Sequence, residues 1–241
     1  MKLESSFTGF NKDIFSFFGG LEKNNNLEWF DKNRSRYQKN IVEPTKNFIE
    51  QLSPFLNRLN PSIRNEPKFN ETIMRINKDL RFSKGEPYRN YWLIHFGRFK
   101  MDSEFFLYFE ASGSDLGLFI NHSKGNNLFF RKNLEKYKKE IAYVFEKYKI
   151  NKNYALYSLG KEGPQEIKKY FDANKDLALL EQMEMFILQK SIPKKILFSD
   201  KIVFEMIKTI SQLYPLYCFC ISQNPLKELN RFEEEFGEMV E

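Results

Sequence analysis

Between Met74 and Arg89 the chain sets Arg75, Lys78, Asp79, Arg81, Lys84, Glu86 and Arg89 beside Phe82 and Tyr88. From Arg64 to Lys100 there are nine Lys/Arg against four Asp/Glu, a surplus of +5 in a chain whose total is only +6. Positive charge is concentrated in one place, and holding an anion is the chemistry such a cluster can do. On an unbroken strand residues two apart share a face, which would put Arg75, Asn77, Asp79 and Arg81 together. Asp79 could then hold an arginine in a fixed orientation, leaving Arg81 and Lys84 to meet a phosphate or carboxylate. The Ser83-Lys84-Gly85 turn offers backbone donors as well, in the manner of an anion-binding nest. The same residues fit a purely structural Arg–Asp network that fastens a sheet to neighbouring helices, with Tyr88 and Trp29 as packing. Asn25 and Trp29 form a second element. A Trp-Phe pair at a helix start is ordinarily core, but folded over the basic segment Asn25 and Trp29 would wall a pocket.

Those residues need elements to position them. Phe10, Ile14, Phe17, Phe18 and Leu21 recur at helical spacing, with Gly19-Gly20 and Asn24-Asn25-Asn26 as stop signals. A second helix begins near Leu27, carries Leu27, Phe30, Tyr37 and Ile41 on one face, and should kink or restart at Pro44. Phe48, Leu52, Phe55, Leu56 and Leu59 continue the stripe past a further kink at Pro54 to the exit at Asn60-Pro61. The period then shortens. Residues 72–77, 91–99, 104–111 and 116–121 read as strands separated by turns too short for crossovers, hence antiparallel neighbours. A long helix is expected over 128–148, with Leu134, Tyr137, Ile141, Val144, Phe145 and Tyr148 buried and a lysine-rich solvated face. Beyond it, Gly163-Pro164 should precede a short helix with Ile167, Tyr170 and Phe171, and 185–192 could be a strand. Ser199-Asp200 can cap a helix that stops before Pro215. The reading is one α+β domain over 1–241, helical over 9–60, a sheet of about four or more strands over 63–122, and mixed over 125–241.

At 41% hydrophobic and 29% charged residues in 241, the composition is that of an ordinary globular protein with room for a sizeable core. The 26 Phe, with abundant Asn, Lys and Ile, point to A/T-rich coding, so the overall basicity says less than the local cluster. Cys218 and Cys220 cannot staple a fold of this size; they read as buried free thiols in a reducing compartment. The start of the chain lacks the apolar core of a signal peptide, and no uninterrupted apolar run could span a membrane, so a soluble cytoplasmic protein is expected. No dinucleotide, phosphate-loop, serine-hydrolase or zinc-protease motif occurs, and His95 and His122 are the only histidines. No metal site and no cofactor are expected. His95, inside a strand pattern, reads as a core or half-buried histidine.

Lys78-Asp79-Leu80-Arg81-Phe82-Ser83-Lys84, followed by Pro87-Tyr88-Arg89, resembles the signature Arg-Asp-x-Arg-Phe-Ser-Lys-x-Lys-x-Pro-Tyr-Lys of a bacterial and fungal group, domain of unknown function 2461. Asn24-Asn25-Asn26-Leu27-Glu28-Trp29-Phe30 is similar to the group's Asn-Asn-x-x-Trp-Phe element, and Arg36-Tyr37 with Pro44 fits its continuation. Arg131 and Pro215-Leu216-Tyr217 match weaker marks further on. The resemblance implies a single α+β domain and carries no established activity. Two positions depart from it: Lys78 stands where the group has Arg, losing a planar two-point fork, and Glu86 lies where a second Lys is usual, lowering the local potential.

Three functions remain open on these residues. The first is a binding protein or enzyme for a phosphorylated or carboxylated small molecule, held by Arg75, Lys78, Arg81, Lys84 and Arg89 with Tyr88, Asn25 and Trp29 around them. In an enzyme of this kind Asp79 is a better general base than Glu86, although orienting an arginine suits it more. The second is a nucleic-acid-associated protein stacking bases on Phe82 and Tyr88. The third is a structural or partner-binding module in which the cluster only stabilises the fold. Oligomeric state and reaction type are not written in the sequence.

Overall fold

Asn26 starts a helix by folding its side chain over the first turn, where Oδ1 accepts from the Trp29 N–H at 2.9 Å. In the computed structural model, which describes residues 7–79, 81, 85–125, 127–160 and 163–237, Asp172 caps a later helix in the same way by accepting from the Asn174 N–H. In chain order the elements are α1 (Asp13–Lys23), α2 (Leu27–Tyr37), a π-helical turn (Gln38–Val42), α3 (Glu43–Leu59), β1 (Tyr91–Phe96), β2 (Glu104–Glu110) and β3 (Ser114–Asn121). There follow α4 (Phe130–Lys136), α5 (Lys138–Lys147), α6 (Ile150–Asn153), β4 (Ala155–Gly160), β5 (Gly163–Lys168) and α7 (Ala173–Gln182). The chain closes with β6 (Met185–Ser191), α8 (Lys194–Leu197), α9 (Lys201–Ile221) and α10 (Pro225–Phe236). The six strands form an antiparallel sheet in the order β1-β2-β3-β6-β4-β5, and the fold is α+β.

The chain divides into two compact units. The first comprises the chain up to Arg98 with Phe106–Asp115 and Ser191–Met206. Its core is aromatic: Phe10 packs on Phe48 and Phe109, and Phe17 meets Phe18, Phe30 and Tyr37. Trp92, fully buried, donates its indole N–H to the Thr45 hydroxyl at 2.9 Å and so joins β1 to α3. The helix α1 runs through Gly19-Gly20 and stops only at Asn24. A Cβ at Gly20 would lie 2.8 Å from the Trp29 ring, so the glycine admits α2 rather than ending α1. Pro44 follows just after the π turn, with helical backbone angles on both sides of that turn, so the chain passes from α2 into α3 through a π turn rather than a restart.

The second unit comprises Phe99–Phe105, Leu116–Lys190 and the chain from Ile207 on. Here β3 passes so close to β6 that a Cβ on Gly117 would lie 1.9 Å from the Leu188 carbonyl oxygen. Phe105 packs on Tyr217, Phe130 on Phe186, and Tyr214 on Phe232.

Several expected elements differ. Residues 72–77 are not a strand. The Lys68 carbonyl gathers the N–H groups of Glu71, Thr72 and Ile73, so the chain meets β1 only at Ile73–Ile94 and pairs again only at Asn77–Tyr88. The long helix over 128–148 is two helices, broken at Tyr137 (φ −122°, ψ 39°), and three strands come after it. Asn133 anchors α4 separately by donating to the Phe219 and Ser222 carbonyls, both at 2.8 Å. The helix expected after Gly163 is strand β5, paired to β4 from Gly160–Gly163 to Leu156–Lys168. The last long helix does not stop before Pro215 but continues to Ile221, with every residue from Ile210 to Ile221 buried. Burial of that many side chains at roughly 1.5–3 kcal/mol each outweighs the ~3 kcal/mol that a proline costs inside a helix. Cys218 and Cys220 are therefore helical, buried and unbridged. No helix among the described residues is long and apolar enough to cross a membrane.

Candidate functional site

The basic segment folds as a short two-stranded ladder. Lys78 N–H donates to the Pro87 carbonyl and Arg89 N–H to the Ile76 carbonyl, both at 2.8 Å. In this register Asn77 and Tyr88 face each other without bonding, so Tyr88's own N–H and carbonyl point outward. Asn25 takes both. Its Oδ1 accepts from the Tyr88 N–H at 3.0 Å, and its Nδ2 donates to the Tyr88 carbonyl at 2.9 Å and to Glu86 Oε2 at 3.1 Å. One side-chain amide thus acts as an added strand, tying the loop before α2 to the ladder. Tyr88 is buried (1% exposed) and stacks on Phe30 of α2, ring centroids 4.1 Å apart. Burial, with the Asp31 carboxylate, raises its phenol above the ordinary range.

The cations of the segment face varied partners. Arg89 donates to the carbonyls of Arg75 (2.8 Å) and Asn77 (2.6 Å). Lys78 lies 3.8 Å from Glu86. Arg81 grips Asp79 through Nε (3.0 Å) and Nη2 (2.7 Å), and its N–H also donates to Oδ1. The Arg81 guanidinium, and then its N–H, hold the Asp79 carboxyl below its ordinary value, which makes Asp79 a weaker base. Arg75 is exposed, with no hydrogen bond or ion pair from its guanidinium among the described residues. Lys84 and the rest of its turn, with Leu80 and Phe82, lie outside the described residues; Gly85 follows at φ +123°, a conformation suited to glycine. Trp29 meets Phe17 and Gly20 of α1. The structure therefore brings together Asn25, Lys78, Glu86 and Tyr88, and separately Asp79 with Arg81 and Arg89 with the Arg75 backbone.

A concave site lies elsewhere, within the second unit. It is a cleft of about 280 Å³ lined by His122, Arg131, Leu134, Glu135, Lys138 and Glu181. His122 follows the last residue of β3, and its N–H donates to the Glu184 carbonyl at 2.8 Å. Arg131, Leu134 and Glu135 project from α4, Lys138 opens α5, and Glu181 is the last residue but one of α7. The His122 ring is almost wholly buried, with its edge against Phe130. Nδ1 lies 2.7 Å from the Met183 carbonyl, and because a carbonyl only accepts, Nδ1 carries the proton. In the neutral ring the lone pair is then on Nε2. Burial lowers the His122 pKa and the Arg131 charge adds to it, against an opposing pull from the Met183 and Leu180 carbonyls and Glu135. At neutral pH the cleft therefore holds a neutral imidazole fixed in one tautomer. Lys138 and Glu181 close on each other at 2.5 Å. Arg131 makes no hydrogen bond or ion pair among the described residues.

A protein-family model for the conserved hypothetical protein group DUF2461 matches residues 13–219, most of the chain. The chain belongs to the DUF2461 family. In this member the match takes in both the Asn25–Tyr88 ladder and the His122 cleft. Comparison with curated proteins finds no match. The DUF2461-like signature is legible in the sequence; the cleft is not. In the sequence Arg131 stands only as a weak mark of the family, and Lys138 falls on the expected solvated face. His122, between a strand end and a Ser-Lys-Gly turn, was the one local signal available.

Proposed function

We propose that this protein binds a small ligand bearing a phosphate or carboxylate group, and that it does so in the His122 cleft. The observation that carries the reading is Arg131, a half-buried arginine whose guanidinium has no partner among the described residues, lining the same concavity as a neutral imidazole. A guanidinium offers such a group two parallel donors, and Nε2 of His122 can accept from a hydroxyl or amine beside it. At about 280 Å³ the cleft falls at the small end of ligand sites, which suits a metabolite of a few heavy atoms. In this reading the 74–89 ladder is a clasp: Asn25 and Arg89 serve backbone groups, and Tyr88 serves the core. The ladder thus takes the fold-stabilising role, and the anion chemistry falls to the cleft.

The test is an NMR titration of the protein with inorganic phosphate and with acetate, following the His122 ring. A saturable shift is expected with at least one of them. Arg131→Gln should weaken it about 10- to 100-fold, the worth of a charge-assisted hydrogen bond of roughly 1.5–3 kcal/mol. A ring that neither anion moves, or equal binding by the variant, would sink the proposal.

A further inference from the structure

Arg131 and Glu135 stand one turn apart on α4, the spacing at which opposite charges on a helix ordinarily meet. In two other helices that spacing closes, while on α3 Lys46 and Glu50 also stay apart. Lys32 reaches Glu28 at 2.7 Å, and Arg231, with the same arginine-first order, reaches Glu235 at 3.7 Å. Arg131 and Glu135 make no such pair, and neither has a hydrogen bond or ion pair with any other described residue. Both act on the buried His122 ring between β3 and α4, the arginine opposing its protonation and the glutamate favouring it. Across the cleft Lys138 and Glu181 neutralise each other. The charges left over are one cation and one anion, side by side beside a proton acceptor.

A simple anion entering this cleft would gain Arg131 and meet the opposing charge of Glu135; a simple cation would face the converse. Only a ligand carrying both signs satisfies both groups. Resting on the anion-binding reading, we propose that the ligand is a small zwitterion, of the class of amino acids and aminoalkyl phosphates. Its carboxylate or phosphate lies on Arg131 and its ammonium on Glu135, with Nε2 of His122 accepting a hydrogen bond from the ammonium. Glu135 is then a specificity-determining residue: it does not add to anion binding but selects against anions that lack the amine.

The experiment compares each zwitterion with its parent anion on the intact protein: glycine with acetate, 2-aminoethyl phosphate with inorganic phosphate, and 4-aminobutyrate with butyrate. The His122 ring signal and calorimetry report binding. At least one zwitterion is expected to bind 10-fold or more tighter than its parent. Glu135→Gln should erase that gain while tightening the parent anion, because a repelling carboxylate has been removed. If no zwitterion exceeds its parent, or the preference survives Glu135→Gln, the zwitterion assignment falls while anion binding stands. If neither phosphate nor acetate moves the His122 signal, the anion-binding reading falls, and the zwitterion assignment that rests on it falls with it.

Discussion

Removing the Asn25 side chain should cost this protein more than an ordinary loop substitution, and the structure says how much. Asn25 satisfies both backbone groups of Tyr88, at 3.0 and 2.9 Å, and Tyr88 is 1% exposed. In Asn25→Ala the Tyr88 N–H and carbonyl lose their partners together. An unsatisfied buried polar group costs about 1–3 kcal/mol, and Asn25 itself is only half-buried, so water can repair part of the loss; about 2–3 kcal/mol is expected overall. For a chain of this size that corresponds to a fall in Tm of about 5–10 °C. The assay is urea unfolding followed by circular dichroism, with an unchanged denaturant slope as the check that only stability has moved. Asn25→Asp sharpens the test. It keeps an acceptor for the Tyr88 N–H but loses the donor and sets a carboxylate against the Tyr88 carbonyl and Glu86. The new carboxyl would be neutral by preference in the folded state, so its folded pKa is raised. Asn25→Asp should therefore be destabilised at pH 7 and recover in part as the pH falls through that pKa. An Asn25→Ala variant within about 0.5 kcal/mol of the parent, below the usual worth of one hydrogen bond, would refute the clasp.

Two further outcomes follow from charged groups in the two units. Arg36 holds Asp13 through both carboxylate oxygens, while Ser16 and Asn40 add hydrogen bonds, and the Arg36 contact drives the Asp13 carboxyl well below its ordinary range. A depressed carboxyl stabilises the fold above its unfolded pKa and loses that contribution as the pH falls through the folded value, so Asp13→Asn should flatten the acid limb of the stability profile. A double-mutant cycle of Asp13→Asn with Arg36→Ala should give a coupling of about 1–3 kcal/mol. His122 has a folded pKa below its unfolded one because burial disfavours the charged ring. Its contribution is present above about pH 6.5, the unfolded value, and is lost as the pH falls through the lower folded value. His122→Asn keeps a donor for the Met183 carbonyl and should remove that pH dependence in thermal melts between pH 5 and pH 7.

Local pattern alone settled the parts of the fold whose partners are near in sequence. The stripe Ile14, Phe17, Phe18 and Leu21 is buried as its period requires, and the strand over 185–191 and the antiparallel run of β2 and β3 follow from alternation and short turns. The concentration of charge and the family signature at 74–89 were also legible, because they are facts about neighbouring residues. Tertiary packing decided the rest. Pro215 stays inside a helix because the whole of 210–221 is buried, and Gly163-Pro164 begins a strand because β4 supplies its hydrogen bonds. Asn25 meets Tyr88 across 63 positions; the sequence allowed Asn25 to fold over the basic segment, but that it would pair with the Tyr88 backbone as an added strand was decided by the tertiary structure. The cleft is the plainest case. His122, Arg131, Glu135, Lys138 and Glu181 come from a strand end, three helices and their termini, and each alone is an ordinary surface or core residue. Their convergence depends on the break at Tyr137 and on the path that brings α7 and β6 back beside β3, and neither is written in any one stretch of the chain.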